Sequence, residues 1–259
     1  MLTVLKLGGS VITNKDELET VDEEALGRAC DSIAAFLSDE PRSKADERQL
    51  VLVHGGGSFG HHHAAAHGVT DTEGTTDAQA VGTIHRAMTE LNDVVLDALC
   101  ERGVEALAVR PLSVAHRDAD GLHFPSAVVE VMCAEGFVPV THGDVVAHTG
   151  IGGTILSGDD IVVSLAKSMG ADRVGLCSTV PGVLDDSGAV VPTIESYSDV
   201  ADVLGGSDAT DVTGGMAHKV RQLLDLDASA SVFDVDSIDA FLQTGTAGTV
   251  IRGSESNST

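Results

Sequence analysis

Three glycine-rich turns carry the residue types that could hold a polyphosphate. They are Lys6-Leu7-Gly8-Gly9-Ser10, Gly55-Gly56-Gly57-Ser58-Phe59-Gly60-His61 and Thr213-Gly214-Gly215-Met216 with Lys219. Glycine lets a backbone approach an anion and expose its N–H groups, and a helix N-terminus adds partial positive charge. One such turn means little. Three, with a lysine in the first and the last, point to phosphate. The chain has five lysines, at 6, 15, 44, 167 and 219. A chain that has shed lysine elsewhere but keeps Lys6, Lys15 and Lys219 near glycine turns needs their charge there. The competing reading, Lys219 as an ordinary exposed helix residue, leaves the glycines unexplained.

Carboxylates stand nearby. Asp144 follows His142-Gly143 at a strand end, and Asp159 and Asp160 follow Ser157-Gly158 at a helix start. Helix capping accounts for one of the 159/160 pair. The functional reading is a carboxylate that holds the lysines between phosphates; spacing does not say which of the three aspartates does so. Eleven histidines include the run His61-His62-His63, with His67 a turn later. No carboxylate–histidine pattern of metal-ligand spacing accompanies them, so no metal site is expected and most should face solvent. His61 differs because it closes a glycine turn, where it could reach an anion.

Two familiar phosphate motifs are set aside. The pattern GxxxxGK[ST] is absent. Residues 55–60 do fit GxGxxG after a strand, but residues 61–77 supply no apolar second strand of a dinucleotide fold.

The elements that must position these turns follow from hydrophobic period. Strands are expected at Leu2 to Leu7, Leu50 to Val53, 104–109, 137–141, 173–177, 230–235 and 248–252. Helices are expected at 22–37 with Asp22 as N-cap, Ala78 to Cys100, 125–135, 159–169, 216–226 and 237–242. Residues 145–157 read as a hairpin with a glycine tip, 38–48 as a surface loop, 61–77 as a long loop or irregular helix, and 253–259 as a frayed tail. Irregular chain follows the turn at Pro181-Gly182 as far as 211. Alternating strands and helices give an α/β fold with a mainly parallel sheet covered on both faces.

Composition narrows the classes. In 259 residues, 40 acidic against 15 basic side chains give a formal charge of −25. That excludes the basic footprint of a nucleic-acid binder and disfavours an anionic membrane surface. No apolar run reaches a membrane span, and no export signal opens the chain, so a cytoplasmic protein is expected. A spread acidic surface poor in lysine points to a salt-rich cytoplasm. Cys30, Cys100, Cys133 and Cys177 form no CxxC pair and lie in apolar stretches, as buried free thiols do.

Taken in order, Lys6-Leu7-Gly8-Gly9-Ser10, His54-Gly55-Gly56-Gly57, Ser157-Gly158-Asp159-Asp160 and Asp211-Val212-Thr213-Gly214-Gly215-Met216 resemble the amino acid kinase superfamily across nearly the whole chain. Within it, Gly55 to His61, Lys15 after Ile12-Thr13, and the run from Asp211 to Lys219 are similar to the archaeal branch that phosphorylates isopentenyl phosphate. The resemblance implies an open αβα sandwich, a homodimer, and Mg2+-ATP as phosphate donor. It divides the chain into an acceptor and dimerisation lobe, 1–150, and an ATP lobe, 151–259. It implies that Lys6, Gly8, Gly9 and Ser10 hold the ATP phosphates, that Lys15 and Lys219 stabilise the transferring group, and that Asp159 orients the lysines. Gly57, Thr179, Gly214 and Gly215 would lie against the nucleotide. Gly56, His61, Asp144 and Gly158 would meet the acceptor, His61 binding its phosphate. Thr179-Val180-Pro181-Gly182 departs from the family, where many relatives carry an acidic pair after this threonine. Val81, Ile84, Met88, Ile151 and Ile155 are candidates for an apolar tail pocket. Fosfomycin kinase is similar and also takes a phosphorus oxyacid; uridylate kinase and glutamate 5-kinase share the lobe plan. A non-catalytic nucleotide-binding protein of this fold is a further reading, against which the joint presence of Lys6, Lys15, Asp159 and Lys219 argues.

Overall fold

A computed structural model describes residues 1–15, 17–38, 48–204 and 215–253. In chain order the elements are β1 (Leu2–Leu7), α1 (Gly9–Ile12), α2 (Glu23–Ser38), β2 (Gln49–His54), α3 (Gly57–Ala66), α4 (Ala78–Cys100), β3 (Ala106–Ala108), α5 (Pro111–Val114), β4 (His116–Asp118), β5 (Gly121–His123), α6 (Ser126–Ala134), β6 (Val138–His142), β7 (Asp144–His148), β8 (Gly152–Leu156), α7 (Gly158–Met169), β9 (Arg173–Cys177), β10 (Thr193–Ile194), α8 (Ala201–Leu204), α9 (Gly215–Leu224), β11 (Ser229–Phe233), α10 (Ile238–Thr244) and β12 (Thr249–Ile251).

An eight-stranded sheet has the order β10-β12-β11-β9-β1-β2-β6-β3. Its only antiparallel pair among the described residues is β11 with β12. The fold is therefore α/β with a mainly parallel central sheet, as expected. The strands that sit at its centre read as near-continuous apolar runs because both faces are covered. Along β1, Leu2 and Val4 face one core with α6, α7 and α9, while Leu5 and Leu7 face the other with α2, α4 and α10. That alternation is the period of two of a strand, and it places Lys6 in the Leu2–Val4 row, on the side of α7.

The long helices form where sequence and caps agree. Asp22 accepts a hydrogen bond from the Ala25 N–H at 2.9 Å, and Asp77 accepts one from Gln79 at 2.8 Å. α4 then buries Ile84, Met88, Leu91, Val95 and Leu99 at helical spacing. α7 ends at Gly170 with φ 64°, a left-handed stop that favours glycine.

Several expectations need correction. Residues 61–77 divide: α3 starts inside the glycine run and continues as regular helix to Ala66, and 67–77 are turn and loop. The mixed His/Ala/Gly composition of α3 hides any apolar period. The hairpin expected at 145–157 is β7–β8, but the sheet it belongs to, β5-β4-β7-β8, is only half legible because β4 and β5 are three residues each. Neither Asp159 nor Asp160 caps α7; Ser157 does, accepting from the Asp160 N–H at 3.1 Å. Cys100 is exposed, although the other three cysteines are buried. Residues 39–47, most of the expected 38–48 loop, lie outside the described residues, as do 254–259 of the tail.

His54 and His142 also break the expectation of solvent-facing histidines. They are register partners on β2 and β6, fully buried, with ring centroids 5.4 Å apart. Each Nδ1 faces a carbonyl, Gly55 O at 3.1 Å and Gly143 O at 2.9 Å. A carbonyl only accepts, so Nδ1 carries the proton in both rings. His54 Nε2 then accepts from Asn92 Nδ2 at 3.1 Å. Burial pushes the pKa of each ring down to about 4. A histidine near 6.5 when unfolded therefore binds protons first in the unfolded chain. The two rings contribute stability above about pH 6.5 that is lost as pH falls towards 4, roughly 3 kcal/mol per ring. Denaturant unfolding in concentrated KCl, which screens general carboxylate repulsion, should show this loss, with a shallower slope in His142→Gln. Equal slopes would contradict it.

Candidate active site

Parallel strands bring their carboxyl ends to one edge, and the ladder continues into the loops there. The Gly8 N–H donates to Cys177 O at 2.9 Å, Gly55 N–H to Leu7 O at 3.0 Å, and Gly143 N–H to His54 O at 2.9 Å. Ligand crevices of open α/β sheets lie outside such strand ends. Here a cavity of about 210 Å3 opens between them.

The two N-terminal glycine loops touch. A Cβ on Gly9 would stand 2.1 Å from Gly57 N, and one on Gly55 would stand 2.6 Å from Gly9 N. Gly57 has φ 47°, and a Cβ there would meet Thr13 Oγ1 at 2.0 Å. Thr13 ties the loops together: its hydroxyl donates to Gly9 O at 2.8 Å and accepts from the Ser58 N–H at 3.0 Å. Thr13 stands in a stretch that carries the family resemblance, but its part in joining the loops is visible only once they meet. α3 starts at this junction with its Ser58 N–H on Thr13 Oγ1 and its Phe59 and Gly60 N–H groups on Gly56 O, so what this helix end offers an anion is chiefly its dipole.

Lysines enter from opposite ends of the chain. Lys6 Nζ lies 2.5 Å from Asp159 Oδ1, and Lys219 Nζ lies 3.8 Å from Asp159 Oδ2. Asp159 is almost fully buried in the first turn of α7. Burial raises its pKa, but Lys6 and Lys219 outweigh that and hold the carboxyl below its usual value. Of the three aspartates, then, Asp159 contacts the lysines. Asp160 faces elsewhere, pairing with Arg117 Nη2 at 2.6 Å and Gln222 Nε2 at 2.8 Å. Asp144 lines the cavity, held by His85 Nδ1 at 2.8 Å and by the Val145 N–H. His85, on α4, was not anticipated.

Lys6, Gly8, Gly9, Ser10, Lys15, Gly56, His61, Asp144, Gly158, Asp159, Thr179 and Lys219 all line this one cavity. Gly57 sits behind it in the loop contact, and Gly215, with φ 63°, opens α9 without joining the wall. Gly214 lies outside the described residues. Among the tail candidates Ile84, Met88 and Ile155 reach the cavity, joined by Ala64. Val81 and Ile151 do not line it; Val81 packs with Val69, Ile84 and Val145, and Ile151 is exposed. The cavity thus has a cationic, glycine-lined part and an apolar wall, with His61 on α3 also facing it.

Any side chain at position 9 must push the two loops apart. Gly9→Ala should lower turnover about 100-fold, the cost of misplacing reacting groups by roughly 1 Å. It should destabilise the fold by only about 1–3 kcal/mol. Steady-state kinetics together with a melting curve check both; wild-type turnover would contradict the loop contact.

Known proteins share both this sequence pattern and this shape. The amino acid kinase family model matches residues 1–230. Isopentenyl phosphate kinase of Haloferax volcanii is 61% identical over 253 residues, 97% of this chain and 99% of that one. Isopentenyl phosphate kinase of Methanocaldococcus jannaschii is 34% identical over 86% of each chain. A crystal structure of an isopentenyl phosphate kinase superposes with a TM-score of 0.81 at 26% identity, over 97% of this chain and all of that one. The chain belongs to the amino acid kinase family.

Proposed function

We propose that this protein transfers the γ-phosphate of ATP to isopentenyl phosphate, giving isopentenyl diphosphate for isoprenoid synthesis. The observation that carries the reading is the two-part cavity. Lys6, Lys15 and Lys219 can neutralise phosphates at one part, and Ala64, Ile84, Met88 and Ile155 can cover a short hydrocarbon tail at the other. Relatives named for that substrate match nearly the full chain.

The chemistry brings two polyanions together. Two unit charges at about 4 Å repel by roughly 4 kcal/mol at an effective dielectric near 20. Catalysis is therefore mostly charge stabilisation and positioning. Lys6 and Lys219, held by Asp159, grip the donor phosphates with the N–H groups of Gly9 and Ser10, while Gly8, its own N–H spent on Cys177 O, lets the loop turn beneath them. Lys15 follows the group in flight. An acceptor phosphate oxygen attacks the γ-phosphorus, the bond to the β,γ-bridging oxygen breaks, and ADP leaves. That oxygen is already ionised, so no general base is required. His61, with Gly56 and Gly158, holds the acceptor phosphate, and Asp144 borders it. Gly57, Thr179, Gly214 and Gly215 belong to the nucleotide side.

Magnesium fits this site as the counterion of ATP and not as a metal held by the chain. The carboxylates of the described lining are Asp144 and Asp159, and their oxygens already meet His85, the Val145 N–H, Lys6 and Lys219. The ion supplies charge neutralisation through the phosphate oxygens that carry it. The same reading includes an acceptor lobe at 1–150 and a nucleotide lobe at 151–259, with the boundary in the turn between β7 and β8 and the two spans joined along β1 and β9, and a homodimer. It also includes a salt-rich cytoplasm, supported by the charge of −25. Among the described residues no helix is long and apolar enough to cross a membrane.

ADP release in concentrated KCl with Mg2+-ATP tests the proposal, with isopentenyl phosphate, dimethylallyl phosphate, fosfomycin, UMP and glutamate offered side by side. Turnover should be strongest with isopentenyl phosphate. His61→Ala should lose about 100-fold in kcat/KM for it. A folded protein that turns over another acceptor faster would reject the substrate assignment, and an unchanged His61→Ala would remove His61 from the site.

A further inference from the structure

The β4–β5 hairpin lies outside the cleft and carries a different chemistry. Its strands pair antiparallel with His116 opposite His123 and Asp118 opposite Gly121. His116 and Asp118 are two apart on one strand, so they project from the same face, and His123 faces His116 across the pair. The geometry points to a site for a divalent transition-metal cation, zinc by ligand type, held by His116, Asp118 and His123.

The distances suit it. A zinc ion takes imidazole nitrogen and carboxylate oxygen at about 2.0–2.2 Å in tetrahedral array, which sets ligand atoms roughly 3.3 Å apart. His123 Nε2 lies 2.9 Å from Asp118 Oδ1, and His116 Nε2 lies 4.0 Å from Asp118 Oδ2. One ligand atom from each residue falls within 4.8 Å of the others, the only such trio of histidine, cysteine or carboxylate among the described residues. The rings stack at 4.6 Å with an 8° tilt, so both edges can turn towards one point. Side-chain exposures of 54, 46 and 31% for His116, His123 and Asp118 leave room for that turn and for water as fourth ligand. Two imidazoles and one carboxylate suit zinc, cobalt or nickel better than magnesium or calcium, which prefer oxygen. The net charge of −25 draws cations to this surface.

A bound ion would cross-link the two strands of the hairpin. Between the two β4 ligands, Arg117 faces the other way and reaches Asp160, the neighbour of Asp159. The metal and the cleft are thus joined through one short strand.

Calorimetric titration of untagged, EDTA-treated protein with Zn2+ tests the inference, beside Co2+ absorption spectra. One equivalent should bind, with the intense visible bands of tetrahedral cobalt. His123→Ala and Asp118→Asn should each weaken binding by more than about tenfold, the loss that even an outer-shell partner can cause. ADP release by both variants without added transition metal should stay at the wild-type rate, which shows that they fold. Absence of binding in the wild type would overturn the proposal. So would one equivalent bound equally well by His116→Ala/His123→Ala, which would place the ion elsewhere, for example on the His61–His63 run.

Discussion

A buried carboxylate shared by two lysines organises this molecule. Asp159 sits in the first turn of α7 and meets Lys6 from β1 and Lys219 from α9. Removing one partner from such a buried pair costs about 3–5 kcal/mol, because the other charge is left uncompensated. The arrangement keeps two like-charged ammonium groups in one small space before any phosphate arrives. In a chain with a net charge of −25 that space is a local exception. Its cations cannot be supplied by the surface at large, so they are positioned by a dedicated anion.

The rest of the fold serves that arrangement. The central parallel strands deliver their loops to one edge, and the loops lock by contacts that only glycine permits. His54 and His142 lie directly beneath, neutral and donating to the carbonyls of Gly55 and Gly143. Neutral rings there add hydrogen bonds without adding charge, which suits a floor under a phosphate site. Asp160 extends the scaffold by joining Arg117 of β4 to Gln222 of α9, one turn beyond Lys219. Glycine loop and apolar wall are coupled, since α3 starts in the second glycine turn and carries Ala64, and Met88 of α4 packs against Gly56 and Gly60.

Much of this could be read from the sequence because physical signals were strong. Ala78 to Cys100 reads as one helix because its apolar stripe is continuous, and the structure adds the Asp77 cap that starts it there. The glycine turns and scarce lysines pointed to the cleft because both are costly choices elsewhere. Three features stayed hidden for reasons equally physical. α3 carries histidine, alanine and glycine, so periodicity is silent on it. The β4–β5 hairpin is too short for alternation to register. Buried His54 and His142 look like polar surface residues until their strands are known to be neighbours. Spacing alone does not separate Asp159 from Asp160; the family resemblance implies Asp159, and in the folded chain it meets Lys6 and Lys219 while Asp160 meets Arg117 and Gln222.

The central claim is that Asp159 acts on phosphoryl transfer by holding its lysines. A double-mutant cycle in kcat/KM tests it most directly, using Asp159→Asn, Lys219→Gln and the pair. If Asp159 positions Lys219, removing the lysine costs far less once the carboxylate is gone, and the cycle shows a coupling of about 1–3 kcal/mol. Additive losses would mean that the two residues act independently and would contradict a positioning role for Asp159.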